Sequence, residues 1–128
     1  AQGRLAAPTA TPPAIETLAA IHARLEAAEG DHDLFVRTDM AFHGQIAEMS
    51  GNAIVAAAVR GMLGWIIRFR TEMVSVEGAE SLTITEHARI LKAIAAGDPA
   101  EAAAAMADHL GRANALYAQL VAAGPAPA

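Results

Sequence analysis

Residues 39–52 read DMAFHGQIAEMSGN, and this stretch decides the fold. Extended back to Phe35, it spaces apolar side chains three and four residues apart, as on one face of an α-helix. At about 100° per residue, Phe35, Asp39, Phe42, Ile46 and Met49 fall within an arc of about 80°. Asp39 lies near the middle of that arc and His43 borders it, whereas Arg37, Gly44, Gln45 and Glu48 take the other side. A lone carboxylate on a core-facing stripe is costly, so something must compensate it. The helix stops at Ser50-Gly51, and Asn52 can cap the next one.

Helices of the same kind extend in both directions. Upstream, PTATPP at 8–13 is a breaker and a start signal, with Thr11 as cap and proline in the first turn. A helix over about 12–29 follows, with Ile15, Leu18, Ile21 and Leu25 inward and Gly30 as its stop. The central helix then covers about 31–50, opened by acidic residues that suit a helix N-terminus. Downstream, a third helix is expected over about 52–73, its stripe made of Val55, Val59, Met62, Ile66 and Phe69. VSVEGAES at 74–81 reads as a turn, and a fourth helix over about 80–96 turns Ile84, Ile90, Leu91 and Ile94 inward. Gly97-Asp98-Pro99 ends that helix, caps the next and fills its first turn. The fifth helix runs to about 122, with Ala102, Met106, Leu110, Ala113, Leu116, Tyr117 and Leu120 as its stripe. Without strand alternation or internal repeat, the pattern predicts an all-α antiparallel bundle of about five to six helices around a central metal site. Its organisation is a flexible or truncated segment over 1–11, a helical domain over 12–123 and a frayed tail over 124–128.

Composition narrows the function. Hydrophobic residues make up 54% of the 128 but aromatics only 4%, so the core is aliphatic, which favours packed helices over sheet. Nine basic residues against fourteen acidic ones give a charge of −5, with no basic stripe for nucleic acid. The chain has no cysteine, which removes disulfides and thiolate metal sites and fits the cytoplasm. The most apolar run, AAAVRGMLGWIIRF, is broken by arginine and is too short to span a bilayer, and the start lacks the order of a signal peptide.

Two further helices repeat the anomaly of the central one. His87 falls almost in the middle of the inward face of the fourth helix, with Glu86, Arg89 and Lys92 facing away. His109 borders the stripe of the fifth, with Glu101, Asp108, Arg112 and Gln119 opposite. His22 and His32 are expected to face solvent, the first off its stripe and the second in a turn. Three helices thus direct Asp39, His43, His87 and His109 toward one interior. A lone core histidine usually bonds a carbonyl, and Asp39 with His43 can be a simple ion pair. Convergence of all four points instead to a divalent transition metal, since imidazole and carboxylate suit zinc, nickel, iron or manganese. An i, i+4 pair can reach one ion, and the metal offsets burial of the Asp39 charge.

These residues sit within DMAFHGQIAEMSGN, then EHARILKAIAAGD, then AAMADHL. Together the segments resemble the C-terminal effector-binding domain (FCD) of GntR-type transcription regulators of the FadR subfamily, over about residues 12–120. The resemblance implies an antiparallel helical bundle that forms a homodimer and binds a small organic or sugar acid. It also implies a divalent ion, zinc or nickel first and iron or manganese as alternatives, held by an Asp and three His. Carried over, these are Asp39, His43, His87 and His109. Ser50 and Asn52 match the family's SGN turn and read as helix punctuation. Two departures stand out. The family's winged helix-turn-helix domain, through which DNA would be bound, is absent from this sequence, and the first helix of the effector domain is shortened to AQGRLAA or missing. The chain therefore reads as a fragment of a regulator or as a naturally shortened member.

The leading functional expectation is a cytoplasmic ligand sensor with no catalytic residue. Arg70, about 60° from the centre of its helix's apolar stripe, is the candidate partner for an effector carboxylate, against the plainer reading of a flanking, snorkelling arginine. Arg68 points away. The rival from another class is a metal-dependent hydrolase or lyase, against which stands the lack of a second inward carboxylate: Glu86 and Glu48 both plot outward. A third reading is a structural, metal-stapled dimerisation module.

Overall fold

The computed structural model describes the backbone of residues 10–54, 57–59, 61 and 78–123, and the side chains of those residues as far as 112. Local chemistry marks several of the helix ends. Helix α1 is Pro12–Ala27; Thr11 Oγ1 accepts from the Ala14 amide at 3.4 Å, and the prolines fill the first turn, where no amide hydrogen is needed. The turn after it closes through Gly30 at φ 95°, a left-handed conformation that disfavours any residue with a Cβ. Helix α2 is His32–Met49, capped by Asp31, whose carboxylate accepts from the Leu34 amide at 3.3 Å.

Residues 53–54, 57–59 and 61 are helical, and Asn52 Oδ1 accepts from the Ile54 amide at 3.0 Å, as a cap there should. The remainder of the third predicted helix, including Val55, Met62, Ile66, Phe69 and Arg70, lies outside the described residues, as do 1–9 and 124–128. Helix α3 is Ala79–Ala95 and helix α4 is Pro99–Ala123. The junction between them satisfies the orphan groups of both ends. The Gly97 amide donates to the Ile94 carbonyl and the Asp98 amide to the Ala93 carbonyl, each at 3.0 Å. This paired closure of a helix C-terminus needs a left-handed residue, here Gly97 at φ 68°. Asp98 Oδ1 then accepts from the Glu101 amide at 3.0 Å and starts α4.

Such short connections force neighbouring helices to run antiparallel. Helix α1 packs on both α2 and α3, and α3 packs on α4. Leu18 and Ile21 of α1, Phe42, Ile46 and Met49 of α2, Ile90 and Ile94 of α3, and Ala102 and Met106 of α4 form one buried cluster. A fully buried side chain of this size stabilises by about 1.5–3 kcal/mol. A smaller cluster of Leu25, Ala28 and Phe35 lies beside it. The fold is all-α, with no strand among the described residues. Among those residues no helix is long and apolar enough to cross a membrane.

The stripe read from spacing on α2 is buried throughout, but Val36, Met40 and Ala47 outside it are buried too, and the stripes elsewhere were also too simple. On α4, Ala102, Ala105 and Met106 are buried, but Leu110 is 48% exposed and belongs to the outer surface. His22, expected in solvent, is only 7% exposed. Helix α1 is covered by two neighbours, so its buried face is wider than its aliphatic stripe; the His22 ring lies 6.2 Å from that of Phe42. His32 is the first residue of α2 and is half-buried, with Nδ1 3.3 Å from Glu80 Oε2. The other Glu80 oxygen accepts from the Gly30 amide at 2.9 Å, tying the α1–α2 turn to the start of α3.

Candidate metal centre

Helical periodicity places Asp39 and His43 one turn apart on α2, with Phe42 between them in the core. Helix α3 delivers His87 and α4 delivers His109. All four are almost inaccessible: relative exposure is 3% for Asp39, 6% for His43, 0% for His87 and 4% for His109. One donor atom from each lies within 4.8 Å of every other. His87 Nε2 is 3.1 Å from Asp39 Oδ1 and 3.2 Å from His109 Nε2, and His43 Nε2 is 3.5 Å from Asp39 Oδ1.

The rings are held by packing. Phe42 stacks on His87 with centroids 4.1 Å apart, and the His43 and His109 rings stack at 5.4 Å. The His87 ring stands edge-on to both of these histidines, at 5.0 and 4.7 Å. The nitrogens therefore meet at a point rather than lying parallel along a groove.

Electrostatics set the charge states. Burial disfavours the Asp39 carboxylate, but contacts with His43 and His87 outweigh it and hold its pKa well below the ordinary carboxylate range. Burial pushes His87 down to about 4, against the pull of Asp39. His109 is also lowered, by burial, with Glu86 opposing. Near neutral pH Asp39 is therefore a carboxylate and His87 and His109 are neutral imidazoles, the states in which these groups bind a metal.

The separations fit a shared ion. Two donors each about 2.1 Å from one metal lie about 3.0 Å apart at a right angle and about 3.4 Å apart at a tetrahedral angle. The three measured donor–donor distances fall close to that range. Together the four residues could hold a divalent metal.

One participant escaped the helix plots. Glu86, expected to face away, is half-buried: its Oε1 accepts from His109 Nδ1 at 2.7 Å and its Oε2 from Arg112 Nε at 2.6 Å. Arg112 also donates to Thr83 Oγ1 at 3.1 Å. The plots failed because α4 covers the flank of α3 that a single-helix projection assigns to solvent. Burial raises the Glu86 carboxyl, but Arg112 and then His109 prevail and lower it. The only sequence signal was adjacency, an acid directly before an inward histidine. Glu48, by contrast, is exposed as expected, and so are Arg89, Lys92, Glu101 and Asp108.

The sequence matches the model of the FCD domain family over residues 2–112. It is 33% identical over 116 residues to the HTH-type transcriptional repressor NanR of Enterobacter sp. (strain 638), covering 89% of this chain and 45% of that protein. Its counterpart in Citrobacter rodentium (strain ICC168) is 34% identical over 116 residues, with 89% and 45% covered. For that of Salmonella schwarzengrund (strain CVM19633) the figures are 35% over 89 residues, 68% and 34%. The chain thus spans less than half the length of these relatives.

Proposed function

Because this chain belongs to the FCD family of GntR-type transcription regulators, we propose that it is the metal-binding, ligand-sensing part of a transcriptional repressor. The observation that carries this reading is the meeting of Asp39, His43, His87 and His109 donors within 4.8 Å inside the bundle. In this proposal they hold one divalent ion, zinc or nickel first and iron or manganese as alternatives. An ion that takes five or six donors would keep, beside these four, a Lewis-acid position for a carboxylate oxygen of a small organic or sugar acid.

The chain's own residues do the rest. Asp39 contributes the negative charge, Phe42 keeps His87 edge-on to the other two rings, and the surrounding helices exclude bulk water. A ligand that favours one packing of α2, α3 and α4 over another shifts the bundle by the difference in its affinity for the two. In a homodimer that shift would alter the spacing of helix-turn-helix domains outside this sequence, as the HTH-type names of the relatives suggest. The setting is the cytoplasm. Arg70, outside the described residues, remains the candidate for the effector's carboxylate.

A regulatory role is favoured over hydrolysis by the position of Glu86. It bonds His109 through Nδ1, while the Nε2 of that ring faces His87. The carboxylate is thus on the far side of the ring from the donor cluster, where it cannot act as a general base at the centre. A purely structural staple is separated from a sensor by ligand response. The test is a titration of the zinc-loaded chain with malate, gluconate and glucuronate, followed by calorimetry and thermal melting. The sensor reading expects one class of acid to bind and raise Tm only when metal is present. No response from metal-loaded protein to any acid tested would favour the staple.

A further inference from the structure

We infer that Glu86, held by Arg112, is a positioning residue that sets the tautomer of His109 and so prepares one of the four donors before any ion arrives. The inference rests on the metal-binding reading above and identifies which residue outside the donor set controls that site.

The proton count carries it. A neutral imidazole has one N–H and one lone pair, and which nitrogen keeps the proton depends on the partner of each. At His109 the Nδ1 partner is a carboxylate oxygen at 2.7 Å, which can only accept while ionised. Glu86 stays ionised because Arg112 Nε bonds its other oxygen at 2.6 Å. Arg112 is in turn held by Thr83 Oγ1 at 3.1 Å, and Thr83 is 5% exposed. The proton of His109 therefore sits on Nδ1, and the lone pair of Nε2 points at His87 Nε2, 3.2 Å away.

His87 must answer differently. Its Nε2 faces an acceptor on two sides, Asp39 Oδ1 at 3.1 Å and the His109 lone pair. In the metal-free chain a proton kept on Nε2 answers the His109 lone pair, which leaves Nδ1 as the acceptor. That nitrogen is buried and has no hydrogen-bond partner among the described residues. Uptake of an ion requires His87 to release the Nε2 proton, whereas His109 needs no change. The centre is thus half prepared: α4 presents a ready donor and α3 one that must switch. A histidine ligand with a carboxylate behind it is also more basic, and removing such a partner typically costs 10–100-fold in metal affinity.

The experiment uses the whole chain, stripped with chelator and then titrated with zinc against a competing chelator, as wild type, Glu86→Gln and Glu86→Ala. Nitrogen-15 NMR of the metal-free proteins reads the tautomers. The expected result is His109 protonated on Nδ1 in wild type, and zinc affinity reduced about 10–100-fold in Glu86→Ala. Glu86→Gln, which keeps an acceptor oxygen but loses the charge, should fall between. That intermediate loss is a response a packing role alone does not give, because the isosteric glutamine would then bind zinc as wild type does. The inference is overturned if metal-free wild type carries the His109 proton on Nε2, or if both variants bind zinc as tightly as wild type. In that second case the metal reading survives intact. If wild type takes up no zinc, the metal reading fails and this role for Glu86 fails with it.

Discussion

Helices α3 and α4 carry two polar clusters, one on each side of their contact, and the shorter contacts, at 2.6 Å against 3.1–3.5 Å, belong to the more exposed one. On the outside, Arg89 donates to Glu101 and to Asp108, both at 2.6 Å, with the three side chains 45%, 44% and 71% exposed. On the inside, His87 and His109 meet Asp39 and His43 of α2 in near-complete burial. Short bonds in water are cheap to make and cheap to lose, because solvent replaces either partner. Groups withdrawn from water must find partners or pay full desolvation, so their persistence needs a reason. Good contact geometry thus says little about importance; burial of the contacting groups says more. The inner cluster also has a depth the outer one lacks, since Glu86, Arg112 and Thr83 stand behind His109.

That contrast can be broken or sharpened by experiment. The largest effect on folding is expected from Phe42→Ala, which removes a fully buried ring and the surface on which His87 stacks. It should destabilise the metal-free chain by about 3–5 kcal/mol in urea unfolding and weaken zinc binding as well. A loss confined to stability, with zinc affinity intact, would mean the ring does not hold His87 in place. His87→Ala should lower zinc affinity at least about 100-fold, roughly 2.7 kcal/mol, because it deletes a donor rather than its support. Full metal content together with an unchanged Tm would remove His87 from the centre.

Acid should act on the inner cluster next. The His87 pKa in the folded chain is about 4, against an ordinary value near 6.5. Between those values the unfolded chain takes up a proton that the folded chain refuses, so stability falls as pH falls through that window. His109 is shifted in the same direction and adds to the loss. For His87 alone, unfolding of the metal-free chain at pH 5 should be easier than at pH 7.5 by about 2 kcal/mol. The loaded chain should begin to release its ion below about pH 6, as free imidazole becomes protonated. Equal urea midpoints at the two pH values would place His87 in contact with water. The smallest effect belongs to the outer cluster: Arg89→Gln should leave Tm and zinc affinity within error. A clear drop in either would make that surface network more than solvated decoration.

The part of the centre that was legible in the sequence is the part whose signal is local. Asp39 and His87 each sit in the middle of an apolar stripe on their own helix, and that misfit can be seen without knowing any neighbour. The Gly97-Asp98-Pro99 junction was legible for the same reason, since capping is a matter of consecutive residues. Glu86 was not, because what buries it is Arg112 and His109 from another helix, more than twenty residues away. His22 was misplaced because α1 is covered from two sides, and Leu110 because its stripe reaches a part of α4 that stays open. A helix projection finds the first buried face. It cannot count how many partners a helix has.

The central claim is that one ion is shared by a carboxylate and three imidazoles drawn from three helices. X-ray absorption at the zinc edge, on chain stripped and reloaded with one equivalent, tests it most directly. The account predicts nitrogen and oxygen donors at about 2.0–2.1 Å with the outer-shell scattering of imidazole rings, lost or reduced in His109→Ala. A spectrum of hydrated zinc without imidazole scattering, or a chain that retains no zinc, would contradict it.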